Sequence, residues 1–496
     1  MSLEYIVYIQ TGRFLLKSFL TILIFSFIAN RVDAQMVDTL WTHAYNGPAC
    51  DEDYVVDLEI DNQNNIYTIG YQYPASMNVI KYSPAGSIVW IGKYFGAATA
   101  STIDSNYLYI TGHTGGSFGG PSVNQITQKI DLITKDTLWT RIFAGPLDND
   151  QAMDICVDLS GNVFVTGYSE SVGSGLDIFT IKYNQDGDTI WTARYNNPGQ
   201  IDTGEKIAID TFGNVIIAGN VGNFTTKSCI LKYDANGNLL WDKIYSPGTF
   251  TNEIKALTID INNDILAAGN NDENNFDYLI LKYYANGDSA WVATYNSFQP
   301  VDLANTILTD LKNNVYVTGT NGTVKYDSSG TLLWVCNGNK PAICLEDTSF
   351  IYISGAGTMK LSSDGDTIWT LPFTDGFHDT GSPVQLKLDS DKNLVKAGNT
   401  FITTCASTND YMTVKYYQDF CCTDIRGNID NDPLDVIDIS DLVYLVDFMF
   451  TGGLEPTCLE EANVDGDSEK LIDISDLVAL VDYMFTNGQA PAICPY

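Results

Sequence analysis

Residues 158–167 read Asp-Leu-Ser-Gly-Asn-Val-Phe-Val-Thr-Gly, and residues 182–191 read Lys-Tyr-Asn-Gln-Asp-Gly-Asp-Thr-Ile-Trp. In each segment a glycine lies in a short polar turn that precedes an apolar run. Such a glycine supplies the positive φ that a tight hairpin turn demands. The two segments therefore predict two consecutive β-hairpins, which together make a unit of four short strands.

Both turns recur along the chain. The first turn recurs at residues 61–65, 210–214, 260–264, 310–314 and 389–393. In the second, a tryptophan follows a glycine by four residues, as at Trp90, Trp191, Trp241, Trp291, Trp334 and Trp369. A repeated unit of four short strands is typical of a β-propeller blade. The regular position of the tryptophans predicts packing between blades rather than ligand binding.

The two ends of the array complement each other. The last unit stops after Lys415-Tyr416 without its glycine and tryptophan, whereas residues 38–41 read Asp-Thr-Leu-Trp, as residues 188–191 read Asp-Thr-Ile-Trp. We expect the N-terminal strand to complete the last blade, because closure removes the open sheet edges. The eight tryptophans, with Trp41 and Trp139, then predict an all-β propeller of eight blades. Seven blades are the alternative, if the short units around Trp334 and Trp369 merge.

These units resemble the bacterial β-propeller repeat family, whose units read Asp-x-x-Gly-Asn and then Lys-Tyr-x-x-x-Gly-x-x-x-Trp. The resemblance covers residues 36–420 and rests on two turn motifs that recur in register. It implies the propeller fold. It implies no reaction, because the functions of propellers reside in their loops.

Residues 1–34 have the features of a secretory signal peptide. Arg13 and Lys17 precede an apolar run at residues 18–29, and Val32-Asp33-Ala34 offers small residues for cleavage. A membrane anchor is the alternative, but this run is shorter than the roughly 20 residues that a bilayer span needs. We expect a secreted or cell-surface protein that begins near Gln35 and has no membrane span after cleavage.

The formal net charge of −35 narrows the possible partners. Such a charge repels nucleic acid and anionic lipid and favours cations, above all calcium. The same acidity could instead serve only solubility. The ten cysteines are compatible with disulfides in an exported chain. Four of them follow residue 420 and predict a stapled tail, namely Cys421, Cys422, Cys458 and Cys494.

The irregular segments all fall on one predicted face of the propeller, opposite the two regular turns. They span residues 113–124, 168–177, 220–228, 270–277 and 399–410. Variable loops on a rigid scaffold are where binding normally occurs. Their amides and single aromatic residues suit a glycan or a protein, and they could also be simple surface loops. The candidate ligand-binding aromatic residues are Phe118, Tyr168, Phe224, Phe276 and Phe401.

Catalysis has little support in the sequence. The chain has three histidines and no glycine-rich phosphate loop. Carboxylates cluster at Asp51 and Asp53 and at Asp148, Asp150 and Asp154. Two such groups could serve a glycoside hydrolase or a lyase, but turn capping before the first strand of a blade also explains them. We assign no catalytic residue, and a polysaccharide-active enzyme remains the alternative.

The tail contains a duplicated acidic motif. Residues 428–432 read Asn-Ile-Asp-Asn-Asp and residues 463–467 read Asn-Val-Asp-Gly-Asp; each is followed by Ile-Asp-Ile-Ser-Asp-Leu, at 437–442 and 472–477. Alternate oxygen ligands followed by an acidic residue at a helix start fit calcium. An amphipathic helix is predicted to follow each motif. The same acidic residues could also cap these helices without metal.

Residues 421–496 are similar to a type I dockerin, a duplicated calcium-loop and helix module that binds a cohesin domain. The resemblance implies two Ca²⁺ sites, with the ligands Asn428, Asp430, Asp432, Asp438, Asp441, Asn463, Asp465, Asp467, Asp473 and Asp476. It also implies that a cohesin-like protein or a cell-envelope scaffold binds the matching pairs Ile439-Ser440 and Ile474-Ser475, in either of two orientations.

The tail departs from the dockerin pattern in three ways. Both loops contain two extra residues, Pro433 or Ser468 replaces the expected loop glycine, and asparagine replaces aspartate as the first ligand. These changes are expected to reshape the sites. The sequence as a whole favours an exported, non-catalytic binding or scaffold protein with a calcium-dependent docking tail.

Overall fold

The computed structural model describes residues 37–46, 52–72, 76–114, 123–147, 149–198, 201–223, 225–248, 250–274, 276–299, 301–355, 357–371, 384–401, 409–418, 426–430, 436–454, 456, 458–467, 472–486 and 488–492. Residues 37–418 form one compact unit, and the C-terminal residues after 418 belong to a second. No helix in the described part of the chain has both the length and the apolarity needed to cross a bilayer.

The first unit is an eight-bladed propeller. Its strands form eight four-stranded antiparallel sheets, and in seven of them the strand order follows the chain. The eighth sheet has the order β1-β32-β31-β30, so the N-terminal strand completes the last blade, as predicted. The short units around Trp334 and Trp369 form separate sheets, which excludes the seven-bladed alternative.

The strands of the first four blades are β2 (Asp53–Ile60), β3 (Ile66–Gln72), β4 (Ser76–Tyr82), β5 (Ile88–Phe95), β6 (Ala97–Ile103), β7 (Tyr107–His113), β8 (Gln125–Asp131), β9 (Thr137–Phe143), β10 (Asp150–Val157), β11 (Val163–Ser171), β12 (Gly175–Tyr183), β13 (Thr189–Tyr195), β14 (Asp202–Ile209), β15 (Val215–Val221), β16 (Lys227–Tyr233) and β17 (Leu239–Tyr245). Those of blades 5 to 8 are β18 (Asn252–Ile259), β19 (Ile265–Asn271), β20 (Asp277–Tyr283), β21 (Ser289–Tyr295), β22 (Ala304–Thr309), β23 (Val315–Gly319), β24 (Gly322–Tyr326), β25 (Leu332–Asn337), β26 (Ala342–Glu346), β27 (Phe350–Ser354), β28 (Thr358–Ser362), β29 (Thr367–Leu371), β30 (Gln385–Leu388), β31 (Leu394–Phe401), β32 (Asn409–Gln418) and β1 (Val37–Tyr45).

Burial along the strands follows their place in the blade. Every residue of β15 and β19, the second strands of blades 4 and 5, is buried, because each blade packs between two neighbours. These strands are accordingly rich in valine, isoleucine, leucine and alanine. The outermost strand β17 alternates instead between exposed and half-buried residues, since only one of its faces meets a neighbouring blade.

Each blade pairs a lysine on its third strand with the repeated tryptophan on its fourth. The pairs are Lys81–Trp90, Lys129–Trp139, Lys182–Trp191, Lys232–Trp241, Lys282–Trp291, Lys325–Trp334, Lys360–Trp369 and Lys415–Trp41. The pair Lys415–Trp41 lies in the closing blade and fixes the register of β1 against β32.

The paired lysine and tryptophan donate hydrogen bonds to the next blade. Trp191 Nε1 and Lys182 Nζ both donate to the carbonyl oxygen of Ala235, at 3.1 and 3.3 Å, in the last hairpin turn of blade 4. Gly237 of that turn has φ +83°, and a Cβ there would lie 2.7 Å from the Trp191 ring. This confirms that the tryptophans pack between blades. The indole N–H bond to the next turn recurs at Trp41, Trp139, Trp291 and Trp334.

Four of these lysines form ion pairs with the aspartate of the first hairpin turn, namely Lys81, Lys232, Lys282 and Lys415. Lys282 Nζ lies 2.8 Å from Asp260 Oδ2, and Lys232 Nζ lies 2.9 Å from Asp210 Oδ2. Asp210 Oδ1 also accepts the backbone N–H groups of Phe212 and Asn214, which closes the turn. Burial of a charge is tolerated when an opposite charge and hydrogen bonds satisfy it. Lys232, which also donates to the carbonyl oxygen of Ala285, therefore links the first turn of blade 4 to blade 5.

The second unit is small and helical, and its core is built symmetrically from the two sequence copies. Its helices are α1 (Ile439–Thr451), α2 (Leu459–Ala462) and α3 (Ile474–Thr486). Asp438 caps the N-terminus of α1 with Asp441 in a capping box, and Gly452 ends it in the left-handed conformation. The fully buried core residues are Ile429, Leu445, Ala462, Val464 and Leu480.

We predict that Gly237→Ala destabilises the propeller more than Gly213→Ala. Both glycines have φ near +80°, which costs an L-residue about 1–2 kcal/mol, but the space around Gly213 is open. The Cβ at residue 237 also collides with Trp191, and overpacking adds about 1–3 kcal/mol. Urea unfolding followed by tryptophan fluorescence measures both losses. Equal losses for the two variants would contradict the packing role of the indole.

Candidate binding sites

The propeller face opposite the regular turns contains fewer loop residues than the sequence predicts. The ladder between β11 and β12 continues to the pair Ser171–Gly175, so most of the predicted loop at 168–177 is a hairpin. Tyr168 therefore lies on strand β11, and Phe401 is the last residue of β31. The assignment of these two residues to loops was wrong. In blade 3 the pairing of β11 with β12 continues beyond Gly167, although the sequence suggests that the strand ends at this glycine.

The predicted aromatic residues are in different environments. Tyr168 is half-buried, and its hydroxyl donates to Gln151 Oε1 at 2.6 Å. Phe276 is 36% exposed with φ +65°, and its carbonyl oxygen accepts the N–H of Asp302 from the next blade at 2.7 Å. Phe118, Phe224 and the Phe401 side chain lie outside the described residues. Of the described candidates, Tyr168 has the polar surroundings of a binding residue.

Acidic residues at the start of the innermost strands close the connections between blades. Asp150 Oδ2 accepts the N–H of Gly145 at 2.6 Å, and Asp302 Oδ2 accepts that of Ser297 at 2.7 Å. Asp154 accepts the N–H of Ile207 in the next blade. The bonds of Asp150 and Asp302 are the turn capping that the sequence offers as an alternative to catalysis, whereas the bond of Asp154 joins two blades. Asp51 and Asp148 lie outside the described residues.

Asp202 belongs to the same series and is fully buried at the junction of blades 3 and 4. Its Oδ2 accepts the N–H of Asn197 at 2.5 Å, whereas its Oδ1 is buried without a hydrogen-bond partner. Burial, together with the charge of Asp177, raises the pKa of Asp202 to about 6. Arg194 lies 2.9 Å from Asp177 Oδ2 and neutralises that second carboxylate.

Charged residues on the innermost strands pair between neighbouring blades. Lys206 of blade 4 lies 3.6 Å from Asp154 of blade 3, and Lys387 of blade 8 lies 2.5 Å from Glu59 of blade 1. Burial raises the pKa of Glu59 to about 7, although Lys387 lowers it. These acids thus help to hold the ring of innermost strands together.

In the tail, the two copies hold their last predicted ligand in the same way. The carboxylate of Asp441 accepts the N–H groups of Asp430 and Asp438, at 3.1 and 2.8 Å. Asp476 accepts those of Asp465 and Asp473, at 3.2 and 2.9 Å, in the second copy. Burial raises the pKa of both buried carboxyls. Asp438 and Asp473 are exposed, and each accepts the N–H of the serine two residues later.

The second loop brings three predicted ligands together. The N–H of Asp467 donates to Asn463 Oδ1 at 3.2 Å and to Asp465 Oδ1 at 3.1 Å. Asp467 Oδ1 is buried without a hydrogen-bond partner, which a bound cation would satisfy. These oxygen donors fit calcium. Among the described residues no group of three or more His, Cys, Asp or Glu side chains is arranged to hold a metal, and Asp432 lies outside them.

Sequence reasoning missed Glu461. This residue is almost fully buried on α2, and its Oε2 accepts the N–H groups of Gly427 and Asn428, at 2.8 and 3.1 Å. The second copy thereby holds the first loop, where Asn428 is a predicted ligand. The signal was available, because Arg426 and Glu461 each lie two residues before the first ligand of a copy.

The predicted partner-binding residues begin two exposed apolar stripes. Ile439 and Ile474 are 57% and 58% exposed, and Ser440 and Ser475 are also exposed. Three further apolar residues follow at helical spacing on each helix, and their exposures match between copies. They are Val443, Val446 and Phe450 on α1 and Val478, Val481 and Phe485 on α3. Val446 and Val481, each 37% exposed, thus belong to these stripes.

The structure describes four cysteines of the propeller and one of the tail. In the described part of the propeller, Cys156, Cys229, Cys336 and Cys344 are free thiols. In the tail, Cys458 is buried, and the other three cysteines after residue 420 lie outside the described residues. A disulfide-stapled tail therefore stays a prediction.

The comparisons with known proteins agree on the propeller. The model of the SBBP beta-propeller repeat family matches residues 138–172. No curated protein matches the sequence. A europium-containing methanol dehydrogenase aligns with a TM-score of 0.52 at 10% identity, covering 77% of this chain and 94% of its own. BamB from Moraxella catarrhalis aligns at 0.50 and 12% (77% and 100% covered), and Sqt1 from Chaetomium thermophilum at 0.51 and 8% (77% and 98%). At these identities the likeness shows the fold alone.

We predict that Asp202→Asn stabilises the protein at pH 8 and gives much less gain at pH 4. The pKa of Asp202 is raised by folding from about 4 to about 6, so the wild type loses stability as the pH rises through this window. An amide does not ionise, so the substitution should recover about 3 kcal/mol at pH 8. Denaturant unfolding between pH 4 and pH 8 measures the difference.

The matched control is Asn252→Asp, which makes the reverse change at the first residue of the innermost strand of blade 5. This variant should lose stability at pH 8 and recover it at pH 4. Parallel stability curves for the wild type and Asp202→Asn across the whole pH range would contradict the prediction.

Proposed function

We propose that this protein is an exported, non-catalytic binding protein whose tail docks it to an extracellular or cell-surface assembly. In this proposal the propeller is a rigid scaffold that presents a glycan-binding or protein-binding face, and the dockerin-like tail binds a cohesin-like partner when calcium is present. The propeller fold supports the binding or scaffold role. The duplicated exposed stripes of the tail are the observation that carries the docking proposal.

The two apolar stripes support a symmetric docking surface. Apolar side chains at four successive helical positions, all at least 37% exposed, form a continuous patch on α1 and another on α3. Contiguous exposed apolar patches on small domains mark interaction sites. Because the four residues of one stripe are identical to those of the other, a partner that binds one helix also fits the other in the reversed orientation.

Calcium is proposed to hold each loop in the conformation that the partner recognises. In the second copy, the ion would satisfy the buried Asp467 Oδ1 and bind the neighbouring oxygens of Asn463 and Asp465. Asp476, which already holds the backbone of this loop, would complete the acidic set. Hard cations prefer such oxygen ligands.

We predict that the full chain binds two Ca²⁺ ions and that Asp467→Asn weakens one of them by about tenfold or more, because it removes a ligand charge. Isothermal titration calorimetry with CaCl₂ measures stoichiometry and affinity. Asp234→Asn is the matched control, since Asp234 lies in a propeller turn, where its carboxylate accepts the backbone N–H groups of Asn236 and Asn238. Absence of calcium binding to the wild type would contradict the metal assignment.

We predict that the two stripes are interchangeable. Phe450→Asp or Phe485→Asp alone should weaken partner binding only about twofold, because each leaves one of two equivalent orientations intact. The double variant should abolish it, since both apolar stripes then contain a charge. The partner is captured on the immobilised full chain from envelope and culture-medium fractions, identified, purified and titrated with each variant in calcium or chelator.

Two outcomes would contradict the docking proposal. In one, the captured partner binds equally well in calcium and in chelator. In the other, the double variant at Phe450 and Phe485 binds as tightly as the wild type. A single variant that abolishes binding would refute the dual orientation while leaving one stripe as the docking surface.

A further inference from the structure

In blades 4, 5 and 8 one side chain near the end of the second strand makes a hydrogen bond to the next blade, which we call the clip. It directly follows the small residue, usually glycine, near the end of the second strand, and in blades 4, 5 and 8 it is an asparagine. The asparagine Oδ1 accepts a backbone N–H from the innermost strand of the next blade, at 2.7 to 2.9 Å. The bonds are Ile254 to Asn220, Ala304 to Asn270 and Val55 to Asn399.

Blades 1, 2 and 3 carry rings at this position instead. Tyr71 follows Gly70, His113 follows Gly112 and Tyr168 follows Gly167. A tyrosine has one hydroxyl at the far end of its ring, so it lacks the short amide that forms the clip. The three rings lie on consecutive blades at the face opposite the regular turns, and each is only half-buried. We name these three residues the aromatic arc.

Neighbouring side chains on the innermost strands hold the two tyrosines in place. Tyr54 stacks on Tyr71 with 5.2 Å between ring centroids and 25° between planes. The Tyr54 hydroxyl donates to Glu52 at 2.8 Å. In blade 3, the hydroxyl of Tyr168 donates to the amide of Gln151 at 2.6 Å. Rings held in this way offer contact area at little cost in conformational entropy.

Buried acceptors without donors lie beside Tyr168. The amide nitrogen of Gln125 donates to the carbonyl oxygens of both Gln151 and Tyr168, at 3.3 and 3.2 Å. Its Oε1 is buried and has no hydrogen-bond partner, and the same is true of Oδ1 of the adjacent Asn124. An acceptor buried in this state is unfavourable, and a hydroxyl group from a ligand would satisfy it.

The charges around the arc restrict the ligand. Glu52 lies beside the Tyr54–Tyr71 stack, and the charge of Glu205 raises the pKa of Tyr168 after the larger effect of burial. The whole chain carries a net charge of −35, which repels polyanions. Half-buried rings next to amide acceptors suit a molecule with apolar C–H faces and many hydroxyl groups. A neutral pyranose chain has both.

We infer that the aromatic arc is the binding site for a neutral polysaccharide, with Tyr71 and Tyr168 as platforms for sugar rings and Gln125 as an acceptor for a sugar hydroxyl. Three consecutive blades contribute to it, so the ligand is an extended chain rather than a single sugar. This inference rests on the proposed function and names the ligand class of its propeller face.

The test replaces each platform with the residue that blades 4, 5 and 8 use. In Tyr71→Asn and Tyr168→Asn, the new amide stands opposite the N–H groups of Ala98 and Gly204, which correspond to Ile254 in the innermost strand. The substitutions thus remove the rings and introduce a clip that the fold already uses. Thermal unfolding checks that both variants remain folded.

Binding is measured by affinity electrophoresis and calorimetry of the full chain against soluble β-glucan, xylan and galactomannan, with alginate and heparin as anionic probes. We expect the wild type to bind at least one neutral polymer and neither anionic one. Each variant should weaken that binding about tenfold or more, and the double variant should abolish it. Tyr284→Asn, in an exposed turn on the opposite face, should leave binding unchanged.

Three outcomes would overturn the inference: tighter binding of alginate or heparin than of the neutral polymers, equal binding by wild type and double variant, or binding of none of the polymers. None of them affects the docking proposal, because the calcium and partner titrations of the full chain test variants in the tail. A propeller that binds a protein but no polysaccharide would keep the proposed binding role and refute the ligand class.

Discussion

The propeller depends on backbone carbonyls that each receive two donors from the preceding blade, an arrangement that the described residues show at four blade junctions. The closing junction shows the whole arrangement. Trp41 Nε1 and Lys415 Nζ donate to the carbonyl oxygen of Pro84, and Lys415 also lies 2.6 Å from the turn carboxylate of Asp389. Gly86 of the same turn lies against the indole, where a Cβ would approach to 2.5 Å. One junction therefore couples ring closure, charge burial and turn geometry.

This junction explains which parts of the fold could be predicted. The turns and the tryptophans are local signals with fixed spacing, so blade number and closure at Trp41 followed from them. The hydrogen bond of Lys415 could not be predicted from the sequence, because its acceptor, the carbonyl oxygen of Pro84, is far away in the chain and comes close only when the ring closes. The place of Tyr168 was misjudged because strand pairing overrode the apparent stop signal of Gly167. The tail ligands rest on a motif and a resemblance, and calcium remains proposed.

Some blades depart from the repeat because of local chain geometry, whereas other departures have no such cause and indicate a function. The indole N–H groups of Trp90 and Trp369 are buried without an acceptor. In the last hairpin turn of blade 2, the blade that follows Trp90, Lys135 has φ +69° and replaces the usual glycine. Blade 8, which follows Trp369, is closed by the N-terminal strand and has no such hairpin. These two exceptions follow from local chain geometry. The replacement of the asparagine clip by Tyr71 and Tyr168 has no such cause, which is why ligand binding is the better explanation there.

In the tail, the informative feature is that exposed residues are identical in the two copies. Some buried positions have diverged, since Ile429 corresponds to Val464 and Arg426 corresponds to Glu461, whereas the buried pair Leu445 and Leu480 is identical. A buried position constrains its residue through packing, whereas an exposed position normally tolerates change. Yet the four exposed apolar residues of α1 recur unchanged on α3, ending at Phe450 and Phe485. Packing within the domain does not require an exposed phenylalanine twice, so a common requirement from outside the domain, such as a partner that meets either helix, accounts for the match.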